Sequence, residues 1–348
     1  MKFEFILEKA LKEEIEFNDA LQLLEESYEP AKAIKLFETA NYVRKEEFGD
    51  KIYFTAGIRG VLRCQLKEFC HYCNVSFRTK PFPIQQIPKA VEYINENGVV
   101  SMHLSGGTKL SGYDDEILEI TRIVYNSQNT IPLEINLGPS IQKDDTLIKL
   151  KKLGVESITC SLETYNEEIF NKVKPADSID AIKDLLNRAD RLGFKLKGML
   201  LVGLGETNKD RIEHIFYLKK FKNFVNLRFS RFYPFPNTKM ENMQRTSPWD
   251  VARLIAVTRL SWRKLIINSA AGNTIDDLPL YYLAGASNQT LGICAHVKES
   301  NLNHFIPKFG TKIIELDDNT VIEDQRNLKL QYLSQMGFEL QHFFRTKR

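Results

Sequence analysis

Cysteine is scarce in this chain and odd in number, with five among 348 residues. That excludes a disulfide-stapled fold. No apolar run approaches the ~18 to 20 residues that a membrane-spanning helix requires. The opening MKFEFILEKALKEEIE is too acidic for a secretory signal and its apolar part too short, so the expected compartment is the cytoplasm and no membrane partner is expected. Charge of one sign is not in excess either: 48 Lys and Arg stand against 45 Asp and Glu, a net charge of +3. Such balance predicts no nucleic-acid partner, and the modest basic face of Arg211, Lys219, Lys220 and Lys222 reads as a solvated helix surface. Low-complexity tracts, internal repeats and Pro/Gly/Ser linkers are missing too. What remains is a globular chain, 43% apolar and long enough for a sizeable core.

The first fifty residues repeat apolar positions at helical spacing among Glu and Lys, as at Leu7, Ala10 and Leu11 or Ala33, Leu36 and Phe37. From Ile52 onward, short apolar runs alternate with amphipathic segments. Strands are predicted at 52–54, 99–104, 133–137, 157–161, 195–202, 225–229 and 265–267, with a weaker one at 291–294. Gly98, Gly154 and Gly193 each follow an amphipathic stretch and are placed to end a helix. Thr164 with Glu167 has capping-box spacing, and Ser247-Pro248 suggests another helix start. Strand-then-helix, repeated, predicts an α/β fold with parallel strands and right-handed crossovers. A closed (β/α)8 barrel of the TIM type fits the count, with an open doubly wound sheet as competitor. The expected division is a helical extension over 1–50, the barrel over 51–310, and a short C-terminal cap over 311–348. That cap would carry an amphipathic helix presenting Leu328, Tyr332, Leu333 and Met336.

The strongest motif is Cys64-Gln-Leu-Lys-Glu-Phe-Cys70-His-Tyr-Cys73, directly after the first predicted strand. Three thiolates from one loop can hold three irons of a [4Fe–4S] cluster and leave the fourth open to a small chelating molecule. A structural zinc site is the alternative, but it wants a fourth ligand. His71 adjoins Cys70, and neighbouring residues rarely point at one tetrahedral ion. Unliganded buried thiols are a third reading. Ser105-Gly106-Gly107-Thr108, Ser161-Leu162-Glu163-Thr164 and Gly203-Leu204-Gly205-Glu206-Thr207 follow later strands, the last with Asp210 at capping distance from Thr207. Each alone reads equally well as a turn. Together they fall at C-terminal strand edges, where barrel active sites are built. Alternation places Glu134, Asn136 and Arg228 on lumen-facing positions, as candidates for substrate contact or for a polar layer, with Lys197 similar. His103 is expected to be a hydrogen-bonded core histidine and Cys160 buried packing.

These residues together resemble the radical S-adenosylmethionine (SAM) superfamily, in its branch around biotin synthase, from Ala40 to Asp324. Val43-Arg44, Phe48-Gly49, Pro234-Phe-Pro-Asn-Thr238, Arg259 and Ala284-Gly-Ala-Ser287 match further elements of that branch. The resemblance implies a [4Fe–4S] cluster on Cys64, Cys70 and Cys73, and SAM as the second cofactor. It puts Tyr72 near the adenine, Gly106, Gly107 and Thr108 at the amino group, and Glu163 at the amino acid or ribose. Gly203, Gly205 and Glu206 would lie beside the adenine. An Arg of related maturases falls here at Ile182, which makes the adjacent Lys183 a candidate partner for the SAM carboxylate. Met199 stands where the first glycine of the strand-five motif is usual, and Gly198 precedes it. The implied chemistry is one-electron reduction by an external reductant, cleavage of SAM to a 5′-deoxyadenosyl radical, and hydrogen abstraction from a small-molecule substrate.

One departure is informative. Five residues separate the first two cysteines where three are usual. That spacing resembles the maturase for the iron-guanylylpyridinol cofactor of the methanogen [Fe]-hydrogenase, and implies a role in building the pyridinol ligand. Alternatives are a methylornithine-synthase-type mutase, an [FeFe]-hydrogenase maturase type, and a non-catalytic metal-binding barrel. Sulfur insertion of the biotin-synthase kind needs a second cluster, for which only Cys160 and Cys294 remain.

Overall fold

Residues 2–74, 80–270, 272–298 and 310–341 are described in the computed structural model. The amphipathic N-terminal segments form α1 (Lys2–Ala10), α2 (Phe17–Glu26) and α3 (Pro30–Phe48), which bury Phe3, Leu23, Leu36 and Phe37 on their inner faces. Seven parallel strands follow: β1 (Lys51–Arg59), β2 (Met102–Ser105), β3 (Leu133–Asn136), β4 (Val155–Thr159), β5 (Lys195–Val202), β6 (Phe224–Arg231) and β7 (Ile266–Ser269). Between them run α4 (Ile87–Glu96), α5 (Asp114–Asn126), α6 (Asp144–Lys152), α7 (Glu167–Val173), α8 (Ile179–Arg191), α9 (Asn208–Leu218) and α10 (Pro248–Ser261). Gly98, Gly154 and Gly193 adopt φ of 63°, 87° and 72°, the left-handed turn that ends α4, α6 and α8. Ser247 caps α10, and Thr207 with Asp210 forms the capping box of α9. The box expected at Thr164 does not form. Asn166 caps α7 instead, its side chain accepting from Ile169 N, while the Thr164 hydroxyl accepts from Asn166 N.

After α11 (Leu278–Leu283), β8 (Gln289–Val297) returns to pair in parallel with β1, and is much longer than the sequence suggests. The tail supplies β9 (Lys312–Glu315), β10 (Thr320–Asp324), α12 (Arg326–Ser334) and β11 (Glu339–Leu340). β10 lies antiparallel on the outer edge of β8, with Ile293 opposite Asp324 and Val297 opposite Thr320. That edge is therefore taken. Among the described residues β7 pairs only with β6, and the ladder does not run round the full ring. The fold is α/β with a mostly parallel sheet, as expected; the closed eight-strand ladder is not formed.

At this seam Ser287 N donates to Ile267 O (2.8 Å), and the Ser287 hydroxyl accepts from Ile267 N (2.8 Å). Fully buried Arg259 braces it, reaching Gly285 O at 2.9 Å, Leu265 O at 2.9 Å and Ser287 Oγ at 2.6 Å. The motif pair of Arg259 and 284–287 is thus structural. At the opposite end of the sheet from the cysteine loop, Gln325 N donates to Gly292 O, and β11 pairs with Lys51 and Ile52. The tail closes the lower mouth there.

Candidate active site

Register brings chemistry onto one row of the sheet. Glu134 on β3 pairs with His103 on β2, His103 with Gly57 on β1, Gly57 with Cys294 on β8, and Cys294 with Glu323 on β10. A cavity of about 430 Å³ spans this row and reaches the C-terminal strand ends. Its lining includes Cys64, Cys70 and Cys73, Gly106 to Thr108, Asn136, Glu163 and Arg228.

The cysteine loop leaves β1 at Gly60 and is held by backbone. Gly60 N and Val61 N donate to Ser105 O, Gly107 N donates to Leu62 O (2.9 Å), and Gln65 N donates to Thr108 O (2.8 Å). A Cβ on Gly107 would lie 2.2 Å from the Cys64 Cα and N. Gly107 is therefore required first by the approach of the Cys64 backbone, and Gly106 by Leu137 and the Leu62 backbone, reasons not visible in the motif itself. Burial pushes the Cys70 thiol up to about 12, with Lys174 opposing, so a positive iron would be needed to hold it as thiolate. His71 turns onto Glu68 at 3.0 Å and does not line the cavity. No group of three or more His, Cys, Asp or Glu side chains converges on a single ion among the described residues. Thiolates on separate corners of an iron–sulfur cube stand farther apart than the ligands of one tetrahedral ion. Three soft donors from one loop bordering one cavity are the donor set such a cube takes. Tyr72 packs with Val173, Leu201 and Phe232 beside it.

Glu163 sits just past β4 in a left-handed conformation, φ 66°, that a non-glycine residue seldom adopts. Its carbonyl accepts from Leu201 N, while its buried Oε2 has no hydrogen-bond partner. Burial pushes its carboxyl up to about 7, against the pull of Lys174. Lys174 is the cation of this corner: 6% exposed, 2.8 Å from Asp177 and 3.3 Å from Ser161 O, and lining the cavity. Lys183, expected here, instead lies off the cavity with its ammonium 5.5 Å from the Tyr165 ring centroid. Sequence reasoning missed Lys174 and Asp177, which lie within ten residues of Lys183.

The strand-five turn is also differently employed. Glu206 accepts from Gly203 N (2.8 Å), Leu204 N (2.7 Å) and Arg211 Nε (2.8 Å), so both its oxygens serve the turn. Gly203, Gly205 and Glu206 do not line the cavity; Met199 and Leu201 do. Arg211 is consumed by that ion pair and Lys219 by Glu14 (2.6 Å), which dissolves the basic face.

Deeper in the lumen, Glu134 is 2% exposed and accepts from Thr159 (2.6 Å), Lys197 (2.8 Å) and Arg228 (2.7 Å). Burial alone would raise its pKa, but the two cations hold it well below the carboxylate range. His103 is not the hydrogen-bonded core residue expected. Its ring lies where a Cβ on Gly57 would stand 2.2 Å from Cε1, it lines the cavity, and no hydrogen bond reaches it among the described residues. Burial pushes it down to about 3, so it is neutral at pH 7. Cys160 is buried packing and lies off the cavity.

A cysteine triad with an open side, at the C-terminal ends of parallel strands around a small-molecule cavity, defines a metallocluster enzyme. The profile of the radical SAM superfamily matches residues 58–218. The chain belongs to that superfamily, whose members use a [4Fe–4S] cluster and SAM, and it is a radical SAM enzyme of the biotin-synthase-like branch. It is 31% identical over 264 residues to an uncharacterized protein of Methanocaldococcus jannaschii, covering 73% of this chain and 69% of that one. A biotin synthase of Clostridium tetani is 27% identical over 289 residues, or 80% of this chain and 87% of the synthase. The fold matches a crystal structure of methylornithine synthase with a TM-score of 0.77 at 20% identity, over 98% of this chain and 97% of that one. No helix among the described residues is long and apolar enough to cross a membrane.

Proposed function

We propose that this enzyme reductively cleaves SAM to a 5′-deoxyadenosyl radical that takes hydrogen from a small substrate, in a step that builds the pyridinol ligand of the [Fe]-hydrogenase cofactor. The observation that carries the reading is convergence: Cys64, Cys70 and Cys73 border the same cavity as Gly106 to Thr108 and Glu163, past the ends of β1, β2 and β4. When bound there, a [4Fe–4S] cluster supplies the electron that breaks the carbon–sulfur bond of SAM. Cys64, Cys70 and Cys73 hold three irons. Gly106 and Gly107 keep the cysteine loop against the sheet, and the Thr108 segment faces the SAM amino group. Glu163, with one oxygen lacking any partner, takes the ammonium, which offsets the cost of its burial. Lys174 replaces Lys183 as the cation for the SAM carboxylate. Tyr72 closes the adenine side and keeps water out. The same reading divides the chain into helices over 1–50, catalytic sheet over 51–310 and closing tail over 311–348.

The five-residue cysteine spacing supports the pyridinol step. Sulfur insertion is disfavoured: of the two remaining thiols, only Cys294 reaches the cavity, which leaves no set of ligands for a second cluster. Anaerobic protein should bind about four irons and four sulfides per chain, and yield 5′-deoxyadenosine from SAM and dithionite. Replacing any of the three cysteines by Ala should reduce both to background. Cluster-replete protein that forms no 5′-deoxyadenosine overturns the reading. For the pathway, a deletion strain should recover [Fe]-hydrogenase activity when fed the pyridinol, and continued inactivity would remove that assignment.

A further inference from the structure

The lower lumen holds more positive charge than its own carboxylates balance. Arg59, Lys197, Arg228 and Lys329 all line it, against Glu323 on the wall and Glu134 beneath. Glu134 is already shared by Lys197 at 2.8 Å and Arg228 at 2.7 Å. Glu323 faces His296 at 3.2 Å. Arg59 has no hydrogen bond or ion pair among the described residues, and Arg228 uses only Nη2. Both guanidinium groups line the same cavity as His103. Cations left over in a walled cavity are costly unless a ligand brings the missing negative charge.

The SAM carboxylate does not fill that role. Arg228 pairs in register with Met199, three residues before β6 ends at Arg231, which is about 10 Å below the rim. The rim has its own buried cation, Lys174, beside the cysteine loop. These cations come from β1, β5, β6 and α12, and so reach the cavity from several sides.

We propose that the substrate is a small organic carboxylate, its carboxylate seated on the floor by the forks of Arg59 and Arg228 with Lys197 alongside. This rests on the radical SAM reading, which places the carbon that loses hydrogen above the carboxylate, toward the cysteine loop. Guanidinium forks match a carboxylate in two parallel hydrogen bonds, which fixes orientation as well as affinity.

The test is calorimetric titration of the cluster-loaded full chain with succinate, with its neutral isostere succinamide, and with inorganic phosphate. Succinate should bind at least ~10-fold tighter than succinamide, as charge-assisted paired hydrogen bonds require. Arg59→Met, which breaks no ion pair, should weaken succinate about 10-fold, and Arg59→Lys should restore part of it. Arg228→Met, which leaves Glu134 its bonds from Lys197 and Thr159, gives a second variant that strands no buried charge and should lose the same preference. Equal binding of succinate and succinamide, tighter binding of phosphate, or wild-type affinity in both variants overturns the assignment. The same preparation is assayed for 5′-deoxyadenosine. SAM cleavage without carboxylate preference removes this inference alone, whereas preference without any SAM cleavage removes the functional reading and the substrate assignment with it.

Discussion

The upper and lower halves of the cavity are built by different means. At the rim, backbone does most of the holding: Leu62, Gln65, Gly107 and Thr108 lock the cysteine loop through main-chain hydrogen bonds. At the floor, side chains do it, one from each of several strands, meeting at Glu134. Outside its cluster and SAM-binding side chains, a rim of this kind is constrained first by volume. A floor of this kind is constrained first by charge. The difference suits a division between a fixed cofactor and a substrate that varies among relatives.

The comparison breaks most visibly at Glu134. Glu134→Ala should destabilise by about 3–5 kcal/mol in urea denaturation, because it leaves two cations in the sheet without their carboxylate. Adding Lys197→Met and Arg228→Met should recover most of that loss; a triple variant as unstable as the single one would show that charge is not the floor's organising term. Glu163 gives the next effect, through pH. Its folded pKa of about 7 lies above the ordinary 4.5. The protonated form is thus favoured by folding, and stability from this group is whole below about 4.5 and lost as pH rises through about 7. Relative to Glu163→Gln, the SAM-free wild type should lose up to ~3 kcal/mol over that range. Parallel pH profiles for the two proteins would contradict it.

Gly107→Ala tests the rim's intolerance of volume. With a Cβ 2.2 Å from the Cys64 backbone, the loop must shift, at a cost of about 1–3 kcal/mol. Iron content after reconstitution should fall well below four per chain. The smallest effect belongs to Lys183→Met, within about 0.5 kcal/mol and without change in SAM affinity, as for a surface substitution away from special features. Lys174→Met, in contrast, should weaken SAM binding and leave Asp177 unpaired.

The rim was legible in the sequence because its parts are short motifs, each complete within a few residues of a strand end. Cys64, Cys70, Cys73, Gly106-Gly107-Thr108 and Glu163 all border the cavity for that reason. The floor was half legible. Alternation flagged Glu134, Asn136 and Arg228, but that His103, Cys294 and Glu323 share a row with Glu134 follows from register across five strands. No local pattern encodes that. Lys183 lies off the cavity, because spacing along the chain does not fix which side of α8 a residue occupies, and Lys174 went unseen because a buried lysine before a proline looks like a helix-end residue. Ring closure was not legible either: among the described residues β10, some thirty residues after β8, pairs along β8, and β7 pairs with β6 alone.

The place where β10 displaces β7 has an evolutionary meaning. A hoop of strands sets its own girth, since each rung is tied to the next. Here the tie between Ile267 and Ser287 is a clasp of two hydrogen bonds beside Arg259, so the waist can loosen or tighten without a rung being broken. A lineage with such a clasp can fit its interior to a differently sized guest by altering a few side chains there, and leave the iron-binding mouth as it was.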